Sequence, residues 1–207
     1  MANTAANTIS IVNVGFRSTN FWVLSAGTSR LLVDLGWPGM FAALEAELRR
    51  TDIPLSEITH GFATHYHMDH AGAAQDLKNK GMRLIVADEQ VASIALMKQF
   101  MKDTDGYTEI LPSGNDVIAC AESRVYLAKL GFAGQLVHTP GHSDDSVSLL
   151  LDSGEAFTGD LTHPGMATED AAETVAQSWQ RLRDNGASTV YAGHGPVRPI
   201  PADRQGE

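Results

Sequence analysis

Short apolar runs alternate with glycine-containing turns along most of the chain, a pattern typical of buried β-strands joined by tight connections. In the first half these runs are TISIVNV, NFWVLSAG, RLLVDLG, ITHGFATH and RLIVAD. In the second half they are QLVHTPGH, SVSLLLD, EAFTGD and STVYAGHG. The stretch from Thr104 to Ser123 is the least regular part. The pattern predicts two β-rich halves with helices outside them.

Four segments instead space their apolar side chains as helices do. PGMFAALEAELRR predicts a helix with Pro38 near its first turn. AGAAQDLKNKG predicts a short helix closed by Gly81, and TEDAAETVAQSWQRLRDNG predicts one ended by Gly186. The fourth segment, around Ala92 to Lys102, carries Met97, Phe100 and Met101. These three side chains either line an apolar substrate pocket or, as their helical spacing favours, face the core.

Length and composition indicate an ordinary soluble globular protein. The chain has 207 residues, 43% hydrophobic and 19% charged, and no low-complexity linker. We therefore expect a single domain over residues 1–207, in which residues 198–207 form a loose polar tail.

Charge and cysteine content narrow the partners and the compartment. A net charge of -10 repels a nucleic-acid backbone, so no nucleic-acid partner is expected. No run approaches the roughly 20 apolar residues of a membrane span, and MANTAANTISIVNVG lacks the features of a secretory signal. The single cysteine, Cys120, allows no internal disulfide and is expected to act as a small buried hydrophobe. A cytoplasmic location is the expectation.

The stretch THYHMDH concentrates titratable side chains in a way that needs explaining. His65 and His67 are two residues apart and share a face of an extended strand, and Asp69 and His70 follow directly. Taken alone, the stretch fits a polar surface loop, a lone acid–base site or the start of a metal site.

Three further candidates lie beside glycine at the ends of strand-like runs: His142 in TPGHS, Asp160 in FTGDL and His194 in YAGHG. Each alone is explained by an ordinary turn or a surface hydrogen bond. Together with THYHMDH they indicate a metal site, because imidazole and carboxylate ligands suit zinc or iron. His60 and His138 lie within apolar runs and are interpreted as structural. His163 either faces the site or lies in a loop.

At this point the sequence resembles the metallo-β-lactamase-fold superfamily over nearly its whole length. The resemblance rests on VDLG at Asp34, THYHMDH, TPGHS, FTGD and AGHG. It implies an α/β fold, a four-layer αβ/βα sandwich whose two sheets pack together with metals at one edge.

The resemblance also implies a role for each matching residue. His65, His67 and His142 would hold one metal, Asp69, His70 and His194 a second, and Asp160 would bridge both. Asp34 would orient the metal-binding loop, unless it is a simple turn residue. Two Zn²⁺ ions per chain are expected, with Fe or Mn possible. A hydroxide shared by the two cations would attack a carbonyl, and Asp69 is the candidate for proton handling.

The expected enzyme is a zinc-dependent metallohydrolase that cleaves a small-molecule thioester, lactone or similar ester-type bond. Asp160 stands where true metallo-β-lactamases often place Cys or Ser, which disfavours β-lactam hydrolysis as the main activity. Because 13 residues follow His194, the glutathione-binding C-terminal domain of glyoxalase II is not expected. An iron-dependent persulfide dioxygenase, a β-lactam hydrolase and a non-enzymatic metal-binding module stay open as alternatives. The oligomeric state is left open.

Overall fold

A computed structural model describes residues 9–202 of the chain. Most of the N-terminal segment MANTAANTISIVNVG, for which no secretory signal is expected, lies outside these residues, as do residues 203–207 of the predicted tail.

The strands form two mixed sheets. The first contains, in spatial order, β1 (Ser10–Asn13), β2 (Trp22–Ala26), β3 (Ser29–Val33), β4 (Ile58–Phe62), β5 (Arg83–Ala87) and β6 (Asn115–Ile118). The second contains β7 (Gly134–His138), β8 (Val147–Leu151), β9 (Glu155–Gly159), β10 (Thr189–Ala192) and β11 (Arg198–Pro199). Strands β3 to β6 run parallel, as do β9 and β10, and the other neighbours are antiparallel.

The α-helices of the described part are α1 (Phe41–Arg50), α2 (Met68–Ala71), α3 (Ala74–Lys78), α4 (Val91–Met97), α5 (Ser123–Lys129) and α6 (Ala172–Asp184). A 3₁₀ segment, Lys98–Phe100, continues α4. Within residues 9–202, no helix combines the length and the apolar character needed to cross a membrane.

Successive side chains along a strand point to opposite faces of its sheet. One face packs on the other sheet and one on helices, which gives four layers. In β8, Leu149 points into the space between the sheets, whereas Leu150 packs under α6. In β3, Leu31 likewise faces the second sheet, whereas Leu32 packs under α1 and α3. Both faces of each sheet are therefore covered by apolar side chains. The αβ/βα sandwich expected from the sequence is confirmed.

Among the elements that the sequence did not predict are β6 and α5. No residue of β6 is fully buried, so its local pattern carries little apolar signal. Helix α5 is short, and it is held by a buried serine, Ser123, whose Oγ accepts a hydrogen bond from the Leu136 N–H at 2.8 Å. Such a contact joins distant parts of the chain, and no local periodicity reports it.

Two helices begin later than the sequence pattern suggests. Pro38, expected near the first turn of α1, lies three residues before that helix, which begins at Phe41. It packs instead against Gly72, where a side chain would collide with the Pro38 ring and with the Met68 carbonyl. Helix α2 ends at Ala71, and the helix expected over residues 71–81 is observed as α3, Ala74–Lys78. The small residue at position 72 thus allows close packing of the backbone after His70.

The predicted tail and the single cysteine also differ from expectation. Arg198–Pro199 is not loose but pairs with β10 as an edge strand. Cys120 is only partly buried and lies 3.4 Å from a carboxylate oxygen of Glu89. Burial, together with that carboxylate, raises the pKa of the Cys120 thiol to about 12, so the thiol stays protonated and unreactive near neutral pH.

Candidate metal centre

The predicted site residues meet at one edge of the sandwich, where strands of both sheets end. Asp34 follows β3, the THYHMDH segment follows β4, and Asp160 and His194 follow the parallel pair β9 and β10. His142 lies in the loop after β7. The sheets are joined at this edge by a hydrogen bond from the Val147 N–H to the Thr64 carbonyl, 2.8 Å. Chain segments far apart in sequence thereby converge on one site.

The THYHMDH segment turns from strand to helix within a few residues. His65 is 1% exposed and His67 is exposed at the N-terminal end of α2. Asp69 and His70 fall in the short helix, which carries His70 back under the site, where it is fully buried. Because of this turn, the side chains of His65 and His67 and those of Asp69 and His70 approach the site from different sides.

The first donor set consists of three histidines. His65, His67 and His142 each offer a ring nitrogen, and these atoms lie within 4.8 Å of one another. Nδ1 of His67 and Nε2 of His142 are 3.0 Å apart. Two imidazole nitrogens at this distance either share one proton or direct both lone pairs at a cation.

The second donor set combines a carboxylate with two histidines, Asp69, His70 and His194. Oδ2 of Asp69 lies 3.2 Å from Nε2 of His194 and 3.4 Å from Nε2 of His70. The hydroxyl of Thr19 donates a hydrogen bond to the same oxygen at 3.1 Å.

Asp160 lies between the two sets. Its Oδ1 is 3.3 Å from Nε2 of His70, and its Oδ2 is 3.3 Å from Nε2 of His194. Oδ2 also lies 3.7 Å from Nε2 of His142, a member of the first set. The carboxylate can therefore interact with both sets at once.

Asp34 supports the centre from below. This buried residue adopts a left-handed backbone conformation, φ 62°, which directs its carboxylate at the loop after β4. Oδ1 accepts hydrogen bonds from the Thr64 N–H at 2.8 Å and the Thr64 hydroxyl at 2.9 Å. Oδ2 lies 2.9 Å from Nδ1 of His70 and so leaves Nε2 of that ring directed at Asp69 and Asp160. The turn-residue interpretation of Asp34 therefore describes only part of what it does.

Protonation in the metal-free protein follows from these contacts. Burial, reinforced by the neighbouring histidines, lowers the pKa of His65 well below its ordinary value. Burial would also lower the pKa of His70, but the carboxylates of Asp34, Asp160 and Asp69 outweigh it and raise that pKa well above its ordinary value. A cation bound at Nε2 of His70 has to displace a proton.

The donor atoms fit a metal ion on two grounds. Nε2 of His65 is buried and has no hydrogen-bond partner among the described residues, a costly arrangement for a ring nitrogen unless a ligand meets it. The neighbouring donors lie 3.0 to 3.7 Å apart. Around zinc, with bonds of about 2.0–2.1 Å, tetrahedral ligands lie roughly 3.3 Å from each other.

Two groups that hydrogen-bond to the site were not predicted from the sequence. The Ser18 carbonyl accepts a hydrogen bond from Nδ1 of His194 at 2.6 Å, which leaves Nε2 free to face the carboxylates. Gln90 is fully buried and donates to the Ala63 carbonyl at 2.9 Å and the Thr64 carbonyl at 3.2 Å. A main-chain carbonyl and a single glutamine carry no recognisable motif, so only the structure reveals them.

Two cavities open beside the donor sets. The methionine cavity, about 330 Å³, is lined by Tyr66, His67, Met68, Asp69, Met97, Phe100 and Met101. The histidine cavity, about 540 Å³, is lined by residues that include His142, Asp160, His163, Met166, His194 and Arg198. His163 thus faces the site. Of the helix residues, Met97 is buried in the core as its spacing favoured, whereas Phe100 is 78% exposed and borders the cavity.

Gly193 offers a test of the centre that removes no donor. A methyl group there would lie 2.5 Å from Cε1 of His70 and 2.7 Å from Oδ1 of Asp160, so both side chains must move. We expect Gly193→Ala to weaken metal binding about 10-fold to 100-fold, the range seen when ligand orientation is disturbed. Competition against a chromophoric chelator measures the metal affinity of the variant and of wild type. Gly81→Ala is the control: nothing lies within 4 Å of that position, and its φ of 102° means that the variant tests backbone strain without contact with a donor. Equal affinity in both variants would contradict the prediction.

The fold and the site define a class of protein in which two sheets carry histidine and carboxylate donors at a common edge. The sequence profile of the metallo-beta-lactamase superfamily matches residues 14–194. The chain therefore belongs to the metallo-beta-lactamase superfamily.

Individual relatives agree with this assignment. The chain is 30% identical over 186 residues to a beta-lactamase-like protein 2 homolog of Caenorhabditis elegans, covering 87% of this chain and 57% of that protein. It is 31% identical over 190 residues to an atrochrysone carboxyl ACP thioesterase of Claviceps purpurea, covering 88% and 52%. It thus spans about half the length of these relatives. A metallo-beta-lactamase family protein from Thermus thermophilus shares the fold, with a TM-score of 0.70, 20% identity and coverage of 93% and 75%.

Proposed function

We propose that this protein is a dinuclear metal-dependent hydrolase of small-molecule ester-type bonds, with thioesters as the favoured substrates. The observation that carries the proposal is the position of Asp160, whose carboxylate faces both donor sets. The first metal would be held by His65, His67 and His142 and the second by Asp69, His70 and His194, with Asp160 shared. Zinc is the proposed metal, because imidazole and carboxylate donors at these spacings suit it.

Two bound cations would supply a water-derived nucleophile at neutral pH and polarise the substrate carbonyl. The residues of the chain would position the cations and the attacking water. Asp69 points one carboxylate oxygen into the centre, where the Thr19 hydroxyl fixes it, and the residue also borders the methionine cavity. A carboxylate so placed can accept a proton from the attacking water and pass it to the leaving group. Asp69 is therefore the proposed catalytic residue.

The methionine cavity supports an apolar acyl group as the part of the substrate near Asp69. Its methionines and Phe100 offer adaptable apolar walls directly beside two proposed ligands. The thioesterase named among the relatives acts, by its name, on an acyl thioester, and this supports the same bond type here. A persulfide dioxygenase usually works with one iron, so a second donor set favours the hydrolase instead.

The proposal is tested by metal analysis beside a substrate panel. Purified protein should contain close to two zinc ions per chain and hydrolyse thioesters faster than lactones, β-lactams or phosphodiesters. Protein that is active without metal, or oxygen uptake with glutathione persulfide by iron-loaded protein, would overturn it. Cytoplasmic location and the absence of nucleic-acid partners remain predictions from the sequence.

Chain length should control the rate if the methionine cavity holds the acyl group. For thioesters of acids with two to eight carbons, we expect kcat/KM to rise about 2-fold to 4-fold per methylene, since each buried methylene contributes up to about 0.8 kcal/mol. Phe100→Ser should flatten this rise. Met166→Ser is the matched control, because Met166 is equally exposed, 78%, and borders the other cavity. A rise that persists unchanged in Phe100→Ser would place the acyl group elsewhere.

A further inference from the structure

Arg198 lies on the wall of the histidine cavity, beyond the proposed ligands. It belongs to the edge strand β11, where it pairs with Val190 of β10. His142, Asp160 and His194 line the same cavity, so Arg198 and the proposed donor residues border one space of about 540 Å³. A ligand held at the centre can therefore extend to Arg198.

Arg198 differs in its ion pairing from several other arginines of residues 9–202. Arg30 pairs with Glu57 at 2.8 Å and Arg124 with Asp152 at 2.6 Å. For Arg198 no ion pair is found in residues 9–202, and its Nε is buried without a hydrogen-bond partner there. A buried N–H donor such as this Nε costs free energy when it is left unsatisfied, unless a ligand supplies an acceptor.

Asp160 does not fill that role. It is the sole carboxylate among the residues that line the histidine cavity, and its two oxygens face His70, His142 and His194. Arg198 thus offers a cationic site within a chain of net charge -10, whose overall field repels anions. Selection of an anionic substrate by such a protein requires a local cation near the reacting bond.

We propose that Arg198 is a specificity-determining residue that binds an anionic group of the substrate, a phosphate or a carboxylate, while the scissile bond lies at the metal centre. The inference rests on the proposed function. Because the methionine cavity takes the acyl side, the anion belongs to the thiol side. A phosphate-bearing thiol carrier is therefore the expected source, and bidentate contact with the guanidinium suits it.

Three thioesters separate the possible sources of the anion. Butyryl-coenzyme A carries phosphates on the thiol side, glutaryl-N-acetylcysteamine carries a carboxylate on the acyl side, and butyryl-N-acetylcysteamine is neutral. For Arg198→Gln we expect KM for butyryl-coenzyme A to rise about 10-fold or more, with kcat nearly unchanged. Rates on the neutral thioester should stay within about twofold of wild type, as expected for a residue that contacts only the anion.

Controls and binding measurements complete the test. Arg49→Gln removes an exposed arginine whose nearest carboxylate lies 3.7 Å away, and it should behave as wild type. Arg198→Lys retains the charge and should recover part of the preference. A loss confined to the glutaryl thioester would keep the anion site but assign the anion to the acyl side. Equal losses on all three thioesters, or no loss on any, would overturn the inference.

Failure of the proposed function is recognised separately. Calorimetric titration with coenzyme A alone requires no hydrolysis, and Arg198→Gln should weaken that binding about 10-fold or more, with less difference at high salt. If wild type hydrolyses no thioester yet binds coenzyme A through Arg198, the anion site stands and the proposed function falls. If binding is equal in wild type and variant, the anion site falls.

Discussion

Replacing Asp160 by alanine should lower kcat/KM on the best thioester about 1,000-fold or more and reduce the zinc content from about two ions per chain towards one. The carboxylate approaches members of both donor sets, at 3.3 Å from His70 and His194 and 3.7 Å from His142. Its removal therefore weakens both sites, and several kcal/mol of electrostatic stabilisation in the transition state are lost with it. Steady-state kinetics and elemental analysis of the same preparation give both quantities.

The control is Asp152→Ala, because Asp152 lies at the surface and pairs only with Arg124. That variant should keep full zinc content and activity. If Asp160→Ala binds two zinc ions with unchanged affinity and retains wild-type kinetics, Asp160 is not shared between the sets, and the dinuclear proposal loses the observation that carries it.

Asp34→Asn should destabilise the metal-free protein by about 2–4 kcal/mol and weaken metal binding about 10-fold to 100-fold. Asparagine has nearly the same size and tolerates the left-handed backbone at φ 62°, so the change tests the charge and the acceptor alone. The amide cannot accept at both Thr64 and His70 as the carboxylate does, and one buried donor is left without an acceptor. Urea unfolding of the apoprotein gives the free energy of unfolding, and chelator competition gives the metal affinity.

Asp52→Asn is the matched control. Asp52 has nearly the same backbone conformation, φ 56°, but lies exposed at the end of α1, and its substitution should change stability by less than about 0.5 kcal/mol. If Asp34→Asn is as mild as Asp52→Asn, the buried carboxylate orients neither the loop nor His70.

The sequence reveals much of the strand framework and the location of the centre, for a physical reason. Buried strands need continuous apolar runs, and donors at strand ends need tight turns. The local sequence therefore reveals where each donor segment lies, as in THYHMDH, TPGHS, FTGD and YAGHG. The structure brings all of these donors to one edge. Their roles as ligands stay predictions.

Contacts between distant segments are what the sequence could not reveal. Helix α5 is held through Ser123 and the partly exposed strand β6 through pairing with β5, and neither has a strong periodicity of its own. Arg198 was assigned to a loose tail because its neighbours are polar and proline-rich, whereas pairing with β10 places it on the cavity wall. The Ser18 carbonyl acts through the main chain, which no side-chain pattern can report.

The convergence of strand ends from both sheets also dictates when the centre can be completed. His65, His67, Asp69 and His70 leave the ribosome well before Asp160 and His194, and these last two reach the edge only after β9 and β10 have paired. A nascent chain can hold a cation weakly with the early donors alone. The complete donor set exists only after the C-terminal sheet has docked. On the proposed ligand roles, tight metal loading is expected late in biosynthesis, and metal retention would report that the whole sandwich has closed.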